Sequence, residues 1–583
     1  MPTEATMQLQ LVDWFIVLLY FALSMSIGIW FAKRASKDMQ SYFVSGRSLP
    51  WWLAGTSMVA TTFSSDTPLL VTNLTRSKGG VSGNWEWWAF VIGGMLTVFF
   101  FARLWRRSGV LTDVEFYEIR YSGKPAAVLR GFRAIYSGIL YNIVIIGSVT
   151  MAIGKSGHAL LGWPNWVVIV VSSGTTLLYC ITSGLWGVVV TDLFQFIIAM
   201  TGSIAVAYFA VQQPEVGGLD GLLAQLPSSI LSFLPDWSSG WSVISPFLVL
   251  IAVQWWASVY PGAEPGGGGY VAQRMFASKD EKHSLAATLW FQVAHYAVRP
   301  WPWIIAALSS LILFPVLPDP DLGYVLLFQY LPAGFVGIVA ASLIAAFMST
   351  ISTHLNWGAS YLINDLYKRL MVKDATPGHY VMASRLATVL IMVLTALLAI
   401  FFFKHTQDAF NILLTMGAGS GLVFILRWFW WRVNAWSEIS AMVVSFTMSN
   451  VFRWVVYPDH QVFNEHKTIV LLYTTVLTTL VWITVTFLTR PTSRDVLKRF
   501  YTLVRPAGPF WAPITAEMPE VRVDDSITWS LLAMILGMLL VYCALFGTGY
   551  ILYGRPVVGA VFLAITVASA VGVLSLIGRV RFH

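Results

Sequence analysis

Charge is scarce in this chain. Of its 583 residues only 11% are Asp, Glu, Lys or Arg, where a soluble protein carries about 25%. Apolar residues make up 57% and the mean hydropathy is +0.69, so polar side chains cannot cover a water-facing surface. That excludes a soluble enzyme, a disordered chain and a nucleic-acid-binding domain. The net charge of +8 does not restore the last, because the basic residues sit in short loops between apolar segments. Cysteine is nearly absent. Cys180 and Cys543 lie far apart in apolar runs, which excludes a disulfide framework and a cysteine metal site. The nine histidines are scattered, with no paired metal-ligand motif and no hydrolase nucleophile motif. The chain is not expected to be an enzyme.

What it has instead is long apolar runs. A spanning helix needs ~20 mostly apolar residues. Fifteen stretches qualify: one at about 11–31, ten between 49 and 428, and four between 439 and 577. The runs at about 166–181 and 185–210 count as two spans. With the N-terminus outside, twenty-eight of the 36 Lys and Arg fall in cytoplasmic loops and span ends. Six fall outside: Arg76, Lys78, Lys155, Lys404, Lys467 and Arg555. That asymmetry sets an N-out, C-in orientation with His583 in the cytoplasm. The first ten residues lack a basic region, so no removable signal peptide is expected. Asn73-Leu74-Thr75 matches a glycosylation sequon but lies too near the membrane to count.

Two spans are interrupted. One carries Thr61-Thr62-Phe63-Ser64-Ser65-Asp66-Thr67-Pro68, a polar run closed by proline in mid-membrane. The other carries Tyr260-Pro261-Gly262-Ala263-Glu264-Pro265 followed by four glycines. No continuous helix survives that composition. The two open successive groups of five spans, and five is odd, so the second group is inverted relative to the first. Paired interrupted helices in corresponding positions of two halves point to a transporter site. Unwound backbone frees N–H and C=O groups at the midplane, and an ion, a solute or water must satisfy them.

Three further stretches carry a resemblance. They are Tyr42-Phe43-Val44-Ser45-Gly46-Arg47-Ser48-Leu49-Pro50-Trp51-Trp52, the Thr191-Asp192-x-x-Gln195 element, and Ser349-Thr350-Ile351-Ser352-Thr353. Together they resemble the sodium:solute symporter family, the group containing sodium/glucose, sodium/proline and sodium/sialic acid cotransporters. The resemblance covers about residues 11–436. It implies an all-α polytopic membrane protein of the leucine-transporter-type 5+5 inverted repeat. Residues 1–48 then form the leading span and linker, 49–210 and 211–432 the two repeats, and 433–583 the trailing helices with a cytoplasmic linker near 489–526.

The resemblance also implies a sodium site from the carbonyls of Ala60, Phe63 and Ala346 and the hydroxyls of Ser349 and Thr350. Oxygen ligands suit a hard cation. Some members bind a further sodium, and the matching residues here are Asp192, Ser352 and Thr353. Ser349, Ser352 and Thr353 share a helix face, and a carboxylate opposite makes an oxygen cage. The other reading is that these hydroxyls bond their own helix or a neighbour. Na+ is the expected coupling ion, one or two per cycle, with no organic cofactor. Each charge moved inward gains ~2.3 kcal/mol per 100 mV.

Solute contacts carry over less evenly. Glu86 and Asn142 match polar positions of the sugar cotransporters, and His295 replaces their lysine. Asp66 and Tyr260 join them as candidates from their place in or beside the broken spans, and Arg299 from its place one turn from His295. Asp66, Glu86, His295 and Arg299 bring both signs of charge. They bind a zwitterion or polar acid, or they pair with one another and leave a neutral solute to hydrogen bonds. His295 is also placed to relay a proton. The expected partners are a small polar or charged organic solute and the lipid bilayer of the plasma membrane (the inner membrane if bacterial). No nucleic acid or obligatory protein partner is expected. The alternatives are a membrane solute sensor of the same fold, a proton-coupled transporter and a channel; no output domain follows the last span, which weighs against the sensor.

Overall fold

In a bilayer every backbone polar group must be satisfied internally, so long apolar runs become helices. A computed structural model describes residues 9–35, 44–260, 262–403, 405–522, 526–579 and 582. Tyr42, Phe43, Pro261, Lys404 and His583 lie outside them. Among the described residues all regular structure is helical apart from one bridge, Leu49 to Ser278. Eleven helices are long and apolar enough to cross a membrane, or twelve with one bent pair.

The helices that matter here are α1 (Leu11–Ala35), α2 (Trp51–Thr62), α3 (Thr67–Ser77), α4 (Asn142–Leu161) and α5 (Asn165–Val211). They continue as α6 (Gly269–Ala277), α7 (Phe335–Ser360), α8 (Thr406–Met416), α9 (Gly421–Phe429), α10 (His460–Leu488), α11 (Ile527–Leu552) and α12 (Pro556–Ile577). α5 packs along α7 and α1, whereas α11 and α12 pack mainly on each other. The 47 residues of α5 are continuous in hydrogen bonding, yet they are not straight. Tyr179 and Thr191, ~18 Å apart along an ideal helix, hydrogen-bond side chain to side chain. The chain therefore reverses between them, which makes two antiparallel arms.

Three spans are interrupted. Phe63 ends α2 with φ −89° and ψ 76°, and Pro68 starts α3 where its missing N–H costs nothing. Between Ala257 and α6 the chain runs without helix. Gly266 there has φ +82°, and a Cβ on it would lie 2.5 Å from the Phe424 carbonyl oxygen, so only glycine fits. The third interruption is a 46° bend between residues 409–416 and 421–429, in what the sequence presents as one straight span. Gly419 N–H donates to the Ala257 carbonyl at 2.9 Å, which stitches this bend to the neighbouring break.

Most of the basic loops meet at one end of the bundle. Arg106 donates to Ser278 O and Arg107 pairs with Glu281 at 2.8 Å. Arg120 donates to Arg427 O, and Arg432 to Thr489 O. At the opposite end Lys155 meets Asp319 and Asp321. Asn73 is 4% exposed there and donates to Asp321 at 2.9 Å, so the sequon asparagine is a buried structural group.

Candidate functional site

The break between α2 and α3 faces α7. The Thr350 hydroxyl lies 2.8 Å from the Thr61 carbonyl and 3.1 Å from the Ala346 carbonyl. The Ala60 carbonyl accepts from Phe63 N–H at 3.1 Å. Among the described residues no hydrogen bond reaches the Phe63 carbonyl. The Thr350 hydroxyl thus makes a seam between α7, at the Ala346 carbonyl, and the end of α2, at the Thr61 carbonyl, whose chain neighbours include Ala60 and Phe63. Ser349 turns away from it: its hydroxyl donates to Asp192 Oδ1 at 2.6 Å.

Asp192, Ser352 and Thr353 are not in direct contact. Asp192 accepts from Ser57 at 2.5 Å and from Ser349. Ser352 bonds its own helix at Ser349 O. Thr353 meets Thr61 at 3.1 Å and accepts from Arg274 at 2.8 Å. Arg274 also lies 3.9 Å from Asp192, and both side chains are fully buried. A permanent cation therefore stands beside this carboxylate, which recovers part of its desolvation cost. Arg274 and Ser57 lie outside the set of sequence candidates. Ser57 and Thr61, one helical turn apart in a polar stripe, carry the available signal.

Adjacent to the seam is a cavity of about 60 Å³, below the ~300–1,000 Å³ of most small-molecule sites. Its lining includes Asp66, Tyr260, His295, Arg299, Thr350 and His354. Tyr260 stacks on Phe90 at 5.7 Å between ring centres and meets Phe410 edge-on at 5.0 Å. Asp66 accepts from Ser64 and from Ser148, the latter at 3.1 Å. Arg299 is 1% exposed and its Nη2 donates to His295 Nδ1 at 2.6 Å. The same Nη2 lies 3.1 Å from Nε2, and Nδ1 also meets the Thr62 hydroxyl at 2.9 Å, so the guanidinium sits against the imidazole ring. Arg299 also lies over the Trp303 ring at 5.3 Å. No carboxylate lies within 4 Å of it among the described residues. Asp66 and Arg299 thus line one cavity without forming an ion pair with each other.

Glu86 and Asn142 are not in that lining. Glu86 pairs with Lys467 of α10 at 2.5 Å. Asn142 brackets His354, donating to its carbonyl at 2.9 Å and meeting its Nδ1 at 2.7 Å. His354, which does line the cavity, has no signal in the sequence beyond its place after the hydroxyl run.

Comparison with known proteins follows the same lines. Residues 42–445 match the profile of the sodium:solute symporter family. The chain is similar to a sodium/glucose cotransporter of Vibrio parahaemolyticus, 26% identical over 501 residues, 80% of this chain and 90% of that one. It is similar to a sodium/sialic acid symporter of Proteus mirabilis, 24% identical over 73% of this chain and 86% of that one. A solved structure of a Na+-coupled sialic acid symporter in a substrate-bound, outward-open state superposes with a TM-score of 0.68 at 20% identity, covering 83% of this chain and 99% of that one. The shared fold is the leucine-transporter type.

Proposed function

The chain belongs to the sodium:solute symporter family, and we propose that it couples inward sodium flow to import of a small polar organic solute across the cell membrane, with the basic end in the cytoplasm. The observation that carries this reading is the seam between the α2–α3 break and α7. Thr350 joins Ala346 O of α7 to Thr61 O at the end of α2 there; a sodium ion would take the Thr350 hydroxyl and the carbonyls of Ala346, Ala60 and Phe63, the oxygen ligands a hard cation prefers. Ser349 completes the set by a rotamer change away from Asp192.

Sodium entering from outside ties α2 to α7 and orders the unwound segments. This completes the solute cavity around Asp66, Tyr260, His295 and Arg299. The bundle holding the two breaks then moves against α4, α7 and their neighbours. The seam parts and sodium leaves on the cytoplasmic side. The repeats at 49–210 and 211–432 supply the two opposed arrangements. A second sodium at Asp192, Ser352 and Thr353 requires Arg274 to leave Thr353, so one ion per cycle is the simpler stoichiometry.

Thermal stability of the purified protein tests this, with sodium replaced by potassium or choline. A ligand at 100 times its Kd stabilises by about 2.7 kcal/mol. A sodium-specific rise is expected in the wild type and is lost in the Ser349→Ala/Thr350→Ala double variant. No cation preference at saturating sodium overturns sodium coupling.

A further inference from the structure

Beyond the central cavity, toward the basic end, the same elements enclose a second one of about 10 Å³. Its lining includes Arg133, Ser137, Tyr141, Glu264, Trp357 and Ser420. The order along the chain is consistent on three walls, while the broken stretch at 259–270 lines both cavities. Residues 145–149 line the central cavity and 133–141 the second. On α7, Thr350 and His354 line the first and Trp357 the second; around the bend, 406–413 line the first and 417–420 the second. The two lie in series on one path. Tyr141 is the septum between them, its hydroxyl reaching the carbonyls of Val259 and Leu413, the latter at 2.8 Å.

Three polar groups meet at this second cavity with their capacity unspent. The Glu264 carboxylate has no hydrogen-bond or ion-pair partner on another residue among the described ones. Arg133 is 7% exposed; its guanidinium packs 4.6 Å over Phe424 and approaches Met442 Sδ at 3.4 Å. No carboxylate lies within 4 Å of it among the described residues. Trp357 is 5% exposed and its buried indole N–H finds no acceptor. The space between them depends on Gly269: a Cβ there would lie 2.9 Å from Glu264 Oε1 and 3.3 Å from Trp357 Cζ2.

A lone cation would compensate Glu264 and be repelled by Arg133; a lone anion would do the reverse. A neutral polyol would leave the buried Arg133 and the half-buried Glu264 without a charged partner. A molecule with both signs satisfies each group: its ammonium meets Glu264 and the Tyr141 ring face, and its carboxylate meets Arg133 and the Trp357 N–H. The central cavity carries the same complement in Asp66 and Arg299. We propose that the second cavity, which in this closed state has room for about one water, widens into a relay station for a small zwitterion, which passes from Asp66 and Arg299 to Glu264 and Arg133 when Tyr141 lets go of Val259 and Leu413. The relay rests on the symport reading above; the zwitterion site itself does not.

The experiment uses full-length protein labelled with 5-fluorotryptophan in lipid nanodiscs. The Trp357 fluorine resonance is assigned by its loss in Trp357→Phe. L-proline and glycine betaine are titrated as zwitterions and D-glucose as the neutral comparator. The zwitterions are expected to shift the Trp357 resonance saturably and glucose to leave it in place. Glu264→Gln is expected to weaken that response at least tenfold while keeping the sodium-dependent thermal rise. If Glu264→Gln does not fold, Glu264→Asp, which shortens the reach, carries the same expectation. No shift with either zwitterion, an equal shift with glucose, or an undiminished response in the Glu264 variant overturns the station. A zwitterion response in a protein that sodium does not stabilise upholds the station and overturns the symport reading alone.

Discussion

Each end of the bundle is closed by an ionic cluster around one fully buried carboxylate, and the two clusters are built differently. At the basic end Asp365 takes its short contacts from one guanidinium: Arg130 Nε at 2.7 Å and Nη2 at 2.5 Å. Thr112 and Asn364 add only longer contacts, at 3.2 and 3.3 Å. At the opposite end Asp321 shares its load. Lys155 Nζ at 3.0 Å, Asn73 Nδ2 at 2.9 Å, and Thr406 through its hydroxyl at 2.9 Å and its N–H at 3.1 Å all donate to it. One closure hangs on a single residue, and the other is spread over three residues from three segments. A gate of the first kind is lost at a single point, whereas one of the second kind loosens by degrees.

The sharpest way to break that comparison is to remove the single residue. Arg130→Met leaves the Asp365 carboxylate buried with only Thr112 and Asn364. Removing one partner of a buried pair costs about 3–5 kcal/mol. Thermal unfolding in detergent is expected to show a larger loss for this substitution than for any single cut at the opposite end. Arg130 also holds Glu118 at 2.5 Å, which in turn binds Arg369, so the loop at 109–122 should gain hydrogen exchange in the same variant. A loss no greater than that of a surface ion pair would mean that Asp365 finds another donor.

Lys155→Met makes the corresponding cut at the other end. Two charged hydrogen bonds go, to Asp319 and Asp321, but Asp321 keeps Asn73 and both donors of Thr406 and Asp319 keeps His405, so the expected cost is about 1.5–3 kcal/mol. Equal losses in Arg130→Met and Lys155→Met would dissolve the distinction between the two closures.

How much of this can be read from the sequence depends on where each partner comes from. The breaks at Thr61–Pro68 and Tyr260–Gly269 are legible because proline and clustered glycine act locally, whatever the surroundings. The bend at 417–420 is not. It has no proline, and although Gly417, Gly419 and Gly421 cluster there, its geometry is set from outside: Gly419 bonds Ala257 O, and a Cβ on Gly421 would lie 2.1 Å from Trp256 O. In the site, Asp66 and Tyr260 sit at the local breaks, whereas His295, Arg299 and Thr350 reach the same cavity from other helices. Glu86 and Asn142 do not line the cavity, because their partners stand far along the chain, 381 residues away at Lys467 and 212 at His354. Arg274 escapes sequence reading for the same reason: a spacing rule finds a stripe on one helix but not the guanidinium that a neighbouring helix lays across it.

The finest discrimination comes from pH at the distributed end. Burial pulls the Asp319 carboxyl up, but hydrogen bonds from His405 and Lys155 and the lysine charge outweigh it and hold it down to about 2. The unfolded chain titrates near 3.9. A carboxyl depressed on folding adds stability that is fully present above the unfolded value and is lost as pH falls through the folded one. The wild type should therefore exceed Asp319→Asn by a constant margin from pH 8 down to about pH 4.5, and the margin should close between about pH 4 and pH 2. Solvent screens this partly exposed pair, so the margin is about 1 kcal/mol or less. Thermal midpoints of the two proteins across that range check it. A margin that instead opens as pH falls from 7 to 6 would shift the pH response from Asp319 to His405, which meets it at 3.2 Å and contributes only once it is protonated, and the distributed closure would then be a histidine-dependent one.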